Sequence, residues 1–358
     1  MVQNKALIAG ATGIVGRRLV EHLTASGDWQ VIGLSRRPPK DTGPDTGATA
    51  DVEFLSVDLT DEESCRRALR SIDGITHILY TARHDFGAHR PEPIEANARM
   101  LRNTVEAVEA GDHALQHVHI VQGTKYYGSN LGPFKTPAEE DDPRTPVDNF
   151  YFAQEDYLID RCGESGWSWS ASRPHGILDD QTGIARNMTQ LIAVYAAILK
   201  EQGQPLYFPG TPGNFDALYQ CTNTKQLAKA IAWMACEPRC ANQAFNVING
   251  DYVRWRDLWP VFAEHFAMEA GPVRTVKLAV SMPDKAGSWN QIVEKYDLQR
   301  QVYEDVALWD YGDHLFTPHW DMMSSMDKAR RYGFADAPDT VASFLHAFKQ
   351  LRCDRVVP

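Results

Sequence analysis

The stretch "KALIAGATGIVGRRLVEHL", residues 5–23, decides the fold. "KALIAG" (5–10) is a short apolar run closed by glycine, the form of a buried parallel strand. Ile14, Leu19, Val20 and Leu23 then recur at helical spacing. Between strand and helix stand Gly10, Gly13 and Gly16 in a GxxGxxG pattern. The first glycine allows a tight turn, and the second lets the backbone approach a pyrophosphate. The helix N-terminus then offers free N–H groups to the anion. A glycine triplet alone can be a structural turn. Set after a first strand and before a helix, it points to dinucleotide binding, with Thr12, Ile14 and Val15 in the same loop.

The alternation continues outward. "QVIGLS" (30–35), "VEFLSVDLT" (52–60), "THILYTA" (76–82), "HVHIVQG" (117–123) and "WSWSASRP" (167–174) read as strands. Helices are expected over 61–72, from about 93 to 111, and over 149–164. This predicts an α/β fold, a Rossmann-type doubly wound parallel sheet. Residues 124–147, rich in Gly, Pro and acid, read as a long loop, and loops of that length are usually functional or mobile. The pattern then becomes more helical, with helices in "TQLIAVYAAILKEQG" and "TNTKQLAKAIAWMAC". "QAFNVINGDYVRWRDLWPVFAEHF" reads as strand, turn and helix. The expected organisation is a Rossmann domain over 1–178 and a smaller, mostly helical substrate lobe over 179–358, interleaved with it.

Composition excludes several classes. The 358 residues are 43% hydrophobic and 23% charged, an ordinary globular balance. A net charge of −11 argues against nucleic acid or an anionic membrane as main partner. No stretch approaches a membrane span, and the strand begins too early for a signal peptide, so a cytoplasmic protein is expected. Six cysteines are scattered without a CxxC pair. Cys236 and Cys240 flank Pro238 and lack nearby His or Cys partners, so no metal site is expected.

At the end of the second strand an NAD site would place Asp or Glu against the ribose 2′-hydroxyl. Here "VIGLSRRPP" has no acid, and Ser35, Arg36 and Arg37 instead suit a 2′-phosphate, pointing to NADPH. A solvated surface arginine pair is the plainer alternative. Asp58 and Leu59 fall where an adenine ring would lie, although Thr60 or Asp61 there could simply start a helix. Thr81 and Ala82 end the fourth strand and Gln122 the fifth, all at the sheet edge where such folds bind ligands.

A tyrosine followed four residues later by lysine is the usual catalytic pair of short-chain dehydrogenases, and no tyrosine here has it. Tyr151, in "DNFYFAQEDYLI" (148–159), is followed at that spacing by Glu155. Lys125, in "QGTKYYG" (122–128), stands at the carboxyl edge of the fifth strand, beside which the Tyr151 helix should begin. Together they could polarise a carbonyl oxygen, because an ammonium beside a phenol favours oxyanion. Singly, Lys125 could be a loop cation and Tyr151 a half-buried helix residue.

These residues resemble the progesterone 5β-reductase/iridoid synthase-like family of extended short-chain dehydrogenases, whose tyrosine and lysine lie on separate motifs. The similar segments are "GATGIVG", "LSRRPP", "SVDLTD", "EANARMLRNTVEAV", "TKYYG", "NFYFAQED", "WSWSASRPHGIL", "VYAAI" and "AFNVINGDYVRWRDLWPVFAEHF". The resemblance implies NADPH-dependent 1,4-reduction of an enone or enal, with hydride going to the β-carbon. It makes Tyr151 the hydrogen-bond donor to the enolate oxygen and Lys125 its support. Pro174, Gly176 and Ile177 would meet the carboxamide side of the nicotinamide, and Tyr151 would help hold the nicotinamide ribose.

Departures fall on the substrate side. Phe152 replaces a second tyrosine, Arg83 stands where a pocket tryptophan is expected, and the loop before "GPF" is longer. Tyr126, Phe134, Phe215 and Trp320 are further candidates for the pocket wall, although Phe134, Phe215 and Trp320 read more simply as plain core residues. A homodimer is the expectation from fold analogy. Carbonyl reductase or nucleotide-sugar epimerase/dehydratase chemistry, and a non-catalytic NADP(H) sensor, remain as alternatives.

Overall fold

A computed structural model describes residues 4–38, 52–70, 72–84, 92–111 and 113–358. Pro39 and Ser71, included in the stretches read above, lie outside the described residues. Strands β1 (Asn4–Ala9), β2 (Trp29–Ser35), β3 (Glu53–Ser56), β4 (His77–Tyr80), β5 (His117–Val121) and β6 (Ser168–Pro174) alternate with helices α1 (Gly16–Ser26), α2 (Glu62–Leu69), α3 (Ile94–Glu109) and α4 (Phe150–Ser165). A seventh strand, Gln243–Val247, pairs with β6. The order across the sheet is seventh strand, β6, β5, β4, β1, β2, β3, and every pairing is parallel.

Both faces of the sheet are covered, as a parallel sheet requires. On one face Leu7, Ile32, Ile78 and Val118 pack with Leu69 of α2, Leu101 and Val105 of α3 and Leu158 of α4. On the other, Ala6, Ile8, Val31 and Leu79 pack with Leu19, Val20 and Leu23 of α1 and with Leu227 and Ile231 of the helix Thr224–Cys236. The glycine triplet sets how closely α1 approaches. Gly10 has φ +82, and a Cβ there would stand 2.9 Å from Ala82 backbone atoms. A Cβ on Gly16 would stand 2.1 Å from the Gly10 carbonyl oxygen, so any larger residue would push α1 off the sheet.

The third strand is shorter than the expected 52–60. Asp58 Oδ1 accepts the Thr60 N–H at 3.0 Å and its hydroxyl at 2.7 Å, which turns the chain before Asp61 caps α2. A third core lies wholly beyond Ile177, around α5 (Met188–Glu201), the helix Trp255–His265 and the helix Thr340–Cys353. Trp255, Trp259, Phe262 and Phe344 form its aromatic centre. This lobe stands over the carboxyl ends of the sheet strands, because residues from both line one cavity. No helix among the described residues is long and apolar enough to cross a membrane.

Candidate active site

The carboxyl ends of the strands open into a cavity of about 1170 Å³. A single small-molecule site is usually about 300–1,000 Å³, so this one has room for a dinucleotide and a second molecule. Gly10, Thr12, Gly13, Ile14, Val15, Ser35, Arg36, Arg37, Asp58 and Leu59 line one end. Thr12 Oγ1 and Ser35 Oγ lie 2.8 Å apart, and the Arg37 N–H donates to Ser35 Oγ at 3.2 Å, so the glycine turn and the end of β2 are fastened together. Arg36 and Arg37 are exposed. The glycine turn before α1 is open to the cavity, as a pyrophosphate needs.

Thr81, Ala82, Gln122, Pro174, Gly176 and Ile177 line the middle of the cavity. The Thr81 hydroxyl donates to the Ala9 carbonyl at 2.8 Å, fixing the end of β4 against β1. Gly176 has φ +48, and a Cβ there would come within 2.7 Å of the Gln220 carbonyl oxygen.

Tyr151 is placed by a helix cap. The Asn149 side chain accepts the Tyr151 N–H at 2.9 Å and starts α4 there. The Tyr151 hydroxyl stands over Gly123, where a Cβ would lie 3.2 Å from it. Lys125 sits on a single tight turn, Thr124–Tyr127, directly after β5. Its ammonium lies 4.7 Å from the centre of the Tyr151 ring and 4.4 Å from that of Phe150, and it pairs with Glu92. The two residues therefore meet, face to cation rather than hydroxyl to ammonium. Enclosure pushes the Tyr151 hydroxyl above the ordinary phenol value; Arg83 pulls it down, Glu92 adds to the rise, and Arg186 opposes it. Burial lowers Lys125, against the pull of Glu92.

Glu155, in the slot of the usual lysine, faces away from this chemistry into a buried polar network. Its carboxylate accepts from Gln122 Nε2 at 2.8 Å, from Arg173 at 3.2 Å, from Arg144 at 3.1 Å and from the Tyr126 hydroxyl at 3.0 Å. Burial pushes its pKa up, but Arg173, Gln122 and Arg144 hold it below the ordinary glutamate value.

Of the substrate-side candidates, Arg83 lines the cavity, while Tyr126, Phe134, Phe215 and Trp320 do not. Tyr126 is 5% exposed, with its ring 3.4 Å from the Arg173 guanidinium, so its hydroxyl belongs to the Glu155 network. Phe134 packs between the lobe core and a small cluster of Tyr126, Tyr127, Ala138 and Phe152. Phe215 packs at a tilt against Phe208, with ring centres 4.8 Å apart. The Trp320 indole donates to the Ser129 carbonyl at 3.2 Å and so backs the cavity wall from behind. Wall residues missed from sequence include Phe150, His175, Arg186, Tyr219, Tyr311 and His314. His175 had a signal, since it follows Pro174 in a strand end already marked. Tyr311 and His314, on the helix Trp309–Phe316, had none, because the docking of the lobe decides which helix face meets the cavity.

A glycine-cradled dinucleotide cleft, with a tyrosine opening the helix beside the fifth strand, defines an extended short-chain dehydrogenase/reductase. The NAD dependent epimerase/dehydratase family matches residues 6–246. The chain belongs to that family, in its progesterone 5β-reductase/iridoid synthase-like branch. It is 32% identical over 371 residues to the (S)-8-oxocitronellyl enol synthase ISY2 of Nepeta cataria, covering 99% of this chain and 91% of that one. It is 32% identical over 372 residues to the 3-oxo-Delta(4,5)-steroid 5-beta-reductase of Arabidopsis thaliana, covering 99% and 94%. The solved UDP-glucose 4-epimerase of Thermus thermophilus, in complex with NAD, superposes with a TM-score of 0.67 at 18% identity over 97% of this chain and 99% of that one; it speaks for the fold alone.

Proposed function

We propose that this oxidoreductase uses NADPH to reduce the C=C bond of enones and enals, with hydride reaching the β-carbon. One observation carries it: Tyr151 opens its hydroxyl to the cavity over Gly123, and the slot of the lysine that would loosen its proton is taken by Glu155, buried against Arg173. A phenol of this kind donates a hydrogen bond to a growing enolate oxygen without having to surrender its proton. Conjugate reduction asks no more, since the carbonyl is regenerated and the α-carbon takes its proton from solvent or a bound water. Reduction to an alcohol would require the oxygen itself to be protonated.

Bound in this cleft, NADPH supplies the hydride. The Gly10–Val15 turn suits its pyrophosphate, and Ser35, Arg36 and Arg37 suit a 2′-phosphate better than a free ribose hydroxyl. Gln122, Pro174, Gly176 and Ile177 serve the nicotinamide side. Lys125, tethered by Glu92, adds positive field beneath the Tyr151 ring. The six cysteines are all free, which suits a reducing cytoplasm. The homodimer expected from fold analogy is part of the same proposal.

The test is product analysis with 2-cyclohexen-1-one, using NADPH and separately NADH. Cyclohexanone is expected, with NADPH preferred, and Tyr151→Phe should lower turnover roughly 100- to 1,000-fold at little change in NADPH affinity. An allylic alcohol would indicate carbonyl reduction instead. NADPH binding without turnover of any enone or carbonyl would indicate a sensor.

A further inference from the structure

Arg186 is a cation that the hydride chemistry does not use. It lines the cavity on the segment joining the end of the sheet to α5, and the guanidinium lies 4.6 Å from the centre of the Tyr311 ring. Among the described residues it has no hydrogen bond and no ion pair. Its backbone is fixed, because the next residue, the fully buried Asn187, caps α5 through Thr189 N at 3.0 Å and Gln190 N at 3.4 Å. A half-buried guanidinium held over an aromatic face, with its fork open to a cavity, is a ready receptor for a planar anion.

Three carboxylates among the described residues line the cavity, and none of them forms an ion pair with Arg186. Asp58 accepts from Thr60, Glu92 holds Lys125, and Asp310 Oδ1 accepts the Tyr311 N–H at 2.7 Å. Arg83 lines the same space, its guanidinium 5.8 Å from the Phe150 ring. The positive field reaches the neighbouring side chains. His314, although open to the cavity, is held below the ordinary histidine value first by loss of surrounding solvent, then by Arg186, Arg83 and Lys125, with Asp310 opposing them. Arg186 also acts on the Tyr151 hydroxyl, so anion receptor and oxyanion donor share one compartment.

We propose that Arg186 is a specificity residue that seats a carboxylate on the substrate, so that the enone or enal reduced here is an oxo acid. A carboxylate matches one guanidinium fork through two parallel hydrogen bonds. A phosphate would seek several donors together, and those stand at the opposite, glycine-lined end of the cavity.

This proposal rests on the ene-reductase assignment, so its test has an arm without turnover. The probes are (E)-7-oxooct-5-enoic acid and its isosteric neutral amide as substrates. The saturated 7-oxooctanoic acid and its amide serve for calorimetric binding to the NADP⁺ complex. The acid should exceed the amide at least tenfold in kcat/KM and in binding. Arg186→Met should bring both ratios close to one, and Arg186→Lys should keep part of the preference. Equal kcat/KM and binding for acid and amide in the unmodified protein, or a preference unchanged in Arg186→Met, would overturn the carboxylate assignment while leaving ene-reduction standing. If neither enone is reduced, the ene-reductase assignment fails, and the binding ratio alone then decides whether Arg186 is an anion receptor.

Discussion

At the residue scale the most informative position is Glu155. Its slot belongs to a catalytic lysine in most relatives of this fold, and sequence spacing alone allows either lost chemistry or a lysine from elsewhere. The structure gives a third element: the slot has become structural. Arg173 is 2% exposed, and Glu155 is its carboxylate partner. Removing one member of a buried pair leaves the other charge uncompensated, at a cost of about 3–5 kcal/mol. Glu155→Lys, which restores the familiar spacing, should therefore destabilise the fold by about that amount or more, and should give no alcohol dehydrogenase. Chemical denaturation reads the first outcome and product analysis the second. A fully stable Glu155→Lys protein would mean that the network is dispensable.

At the scale of elements, β5 and β6 carry an unusual polar ladder inside the sheet. His117 meets Ser168 Oγ at 2.8 Å and Ser170 Oγ at 2.7 Å; His119 meets Ser170 Oγ at 2.8 Å and Ser172 Oγ at 3.1 Å. Alternation on a strand puts both histidines, and all three serines, on one face. Burial lowers His117 to about 3 and the nearby His77 to about 4, and it holds His119 well below the ordinary value. The unfolded chain then binds protons below about pH 6.5 that the native chain refuses. This contribution to stability is complete above pH 6.5 and declines as pH falls toward 4 and then 3. Each histidine contributes a slope of up to about 1.4 kcal/mol per pH unit. Urea unfolding between pH 7.5 and 5 should show this decline, and His117→Asn with His119→Asn should flatten it. An equally steep decline in the double variant would assign the effect to other groups.

Elements are also the scale at which sequence speaks most clearly. Apolar runs and helical spacing locate β1, β2, β4, β5 and β6 and helices α1 to α4, because both faces of a parallel sheet must be buried. The overlong third strand is a miss of turn chemistry: the side chain of Asp58 folds back on Thr60 and ends the pairing. In the site, the cofactor end is legible because its residues sit at strand ends within local motifs. Phe134, Phe215 and Trp320 take their plainer reading as packing residues, and Tyr126 also lies behind the wall, because no local pattern tells a cavity wall from the packing one layer behind it. Arg186, Tyr311 and His314 come from segments that only the docking of the lobe brings to the cavity.

At the scale of the whole molecule, the two sequence halves share one core. Ala6, Ile8 and Leu19 pack with Leu227, Ile231 and Phe245. A buried hub reinforces the seam: Asp179 Oδ1 accepts from Arg18 Nε at 2.7 Å and from the Thr224 hydroxyl at 2.6 Å. A fragment of residues 1–178 would lack the seventh strand and expose the apolar face beneath the helix Thr224–Cys236. It should not fold alone, whereas the full chain should melt in one cooperative transition. Near-ultraviolet circular dichroism and size-exclusion of the fragment check this, and a monomeric fragment with native-like dichroism would disprove it.

The late seventh strand also imposes a timetable on synthesis. The outer edge of β6 is complete at Pro174, but its neighbour ends only at Val247, about 70 residues further on. At about 5–20 residues per second, a ribosome leaves that edge open for roughly 4–14 s. During that interval the sheet lacks the strand and helix it needs to close, so the apolar strand segments already made stay open to pairing with other chains. Yield in a cell is thus set partly by how quickly translation crosses residues 175–247 and by what shields the edge meanwhile.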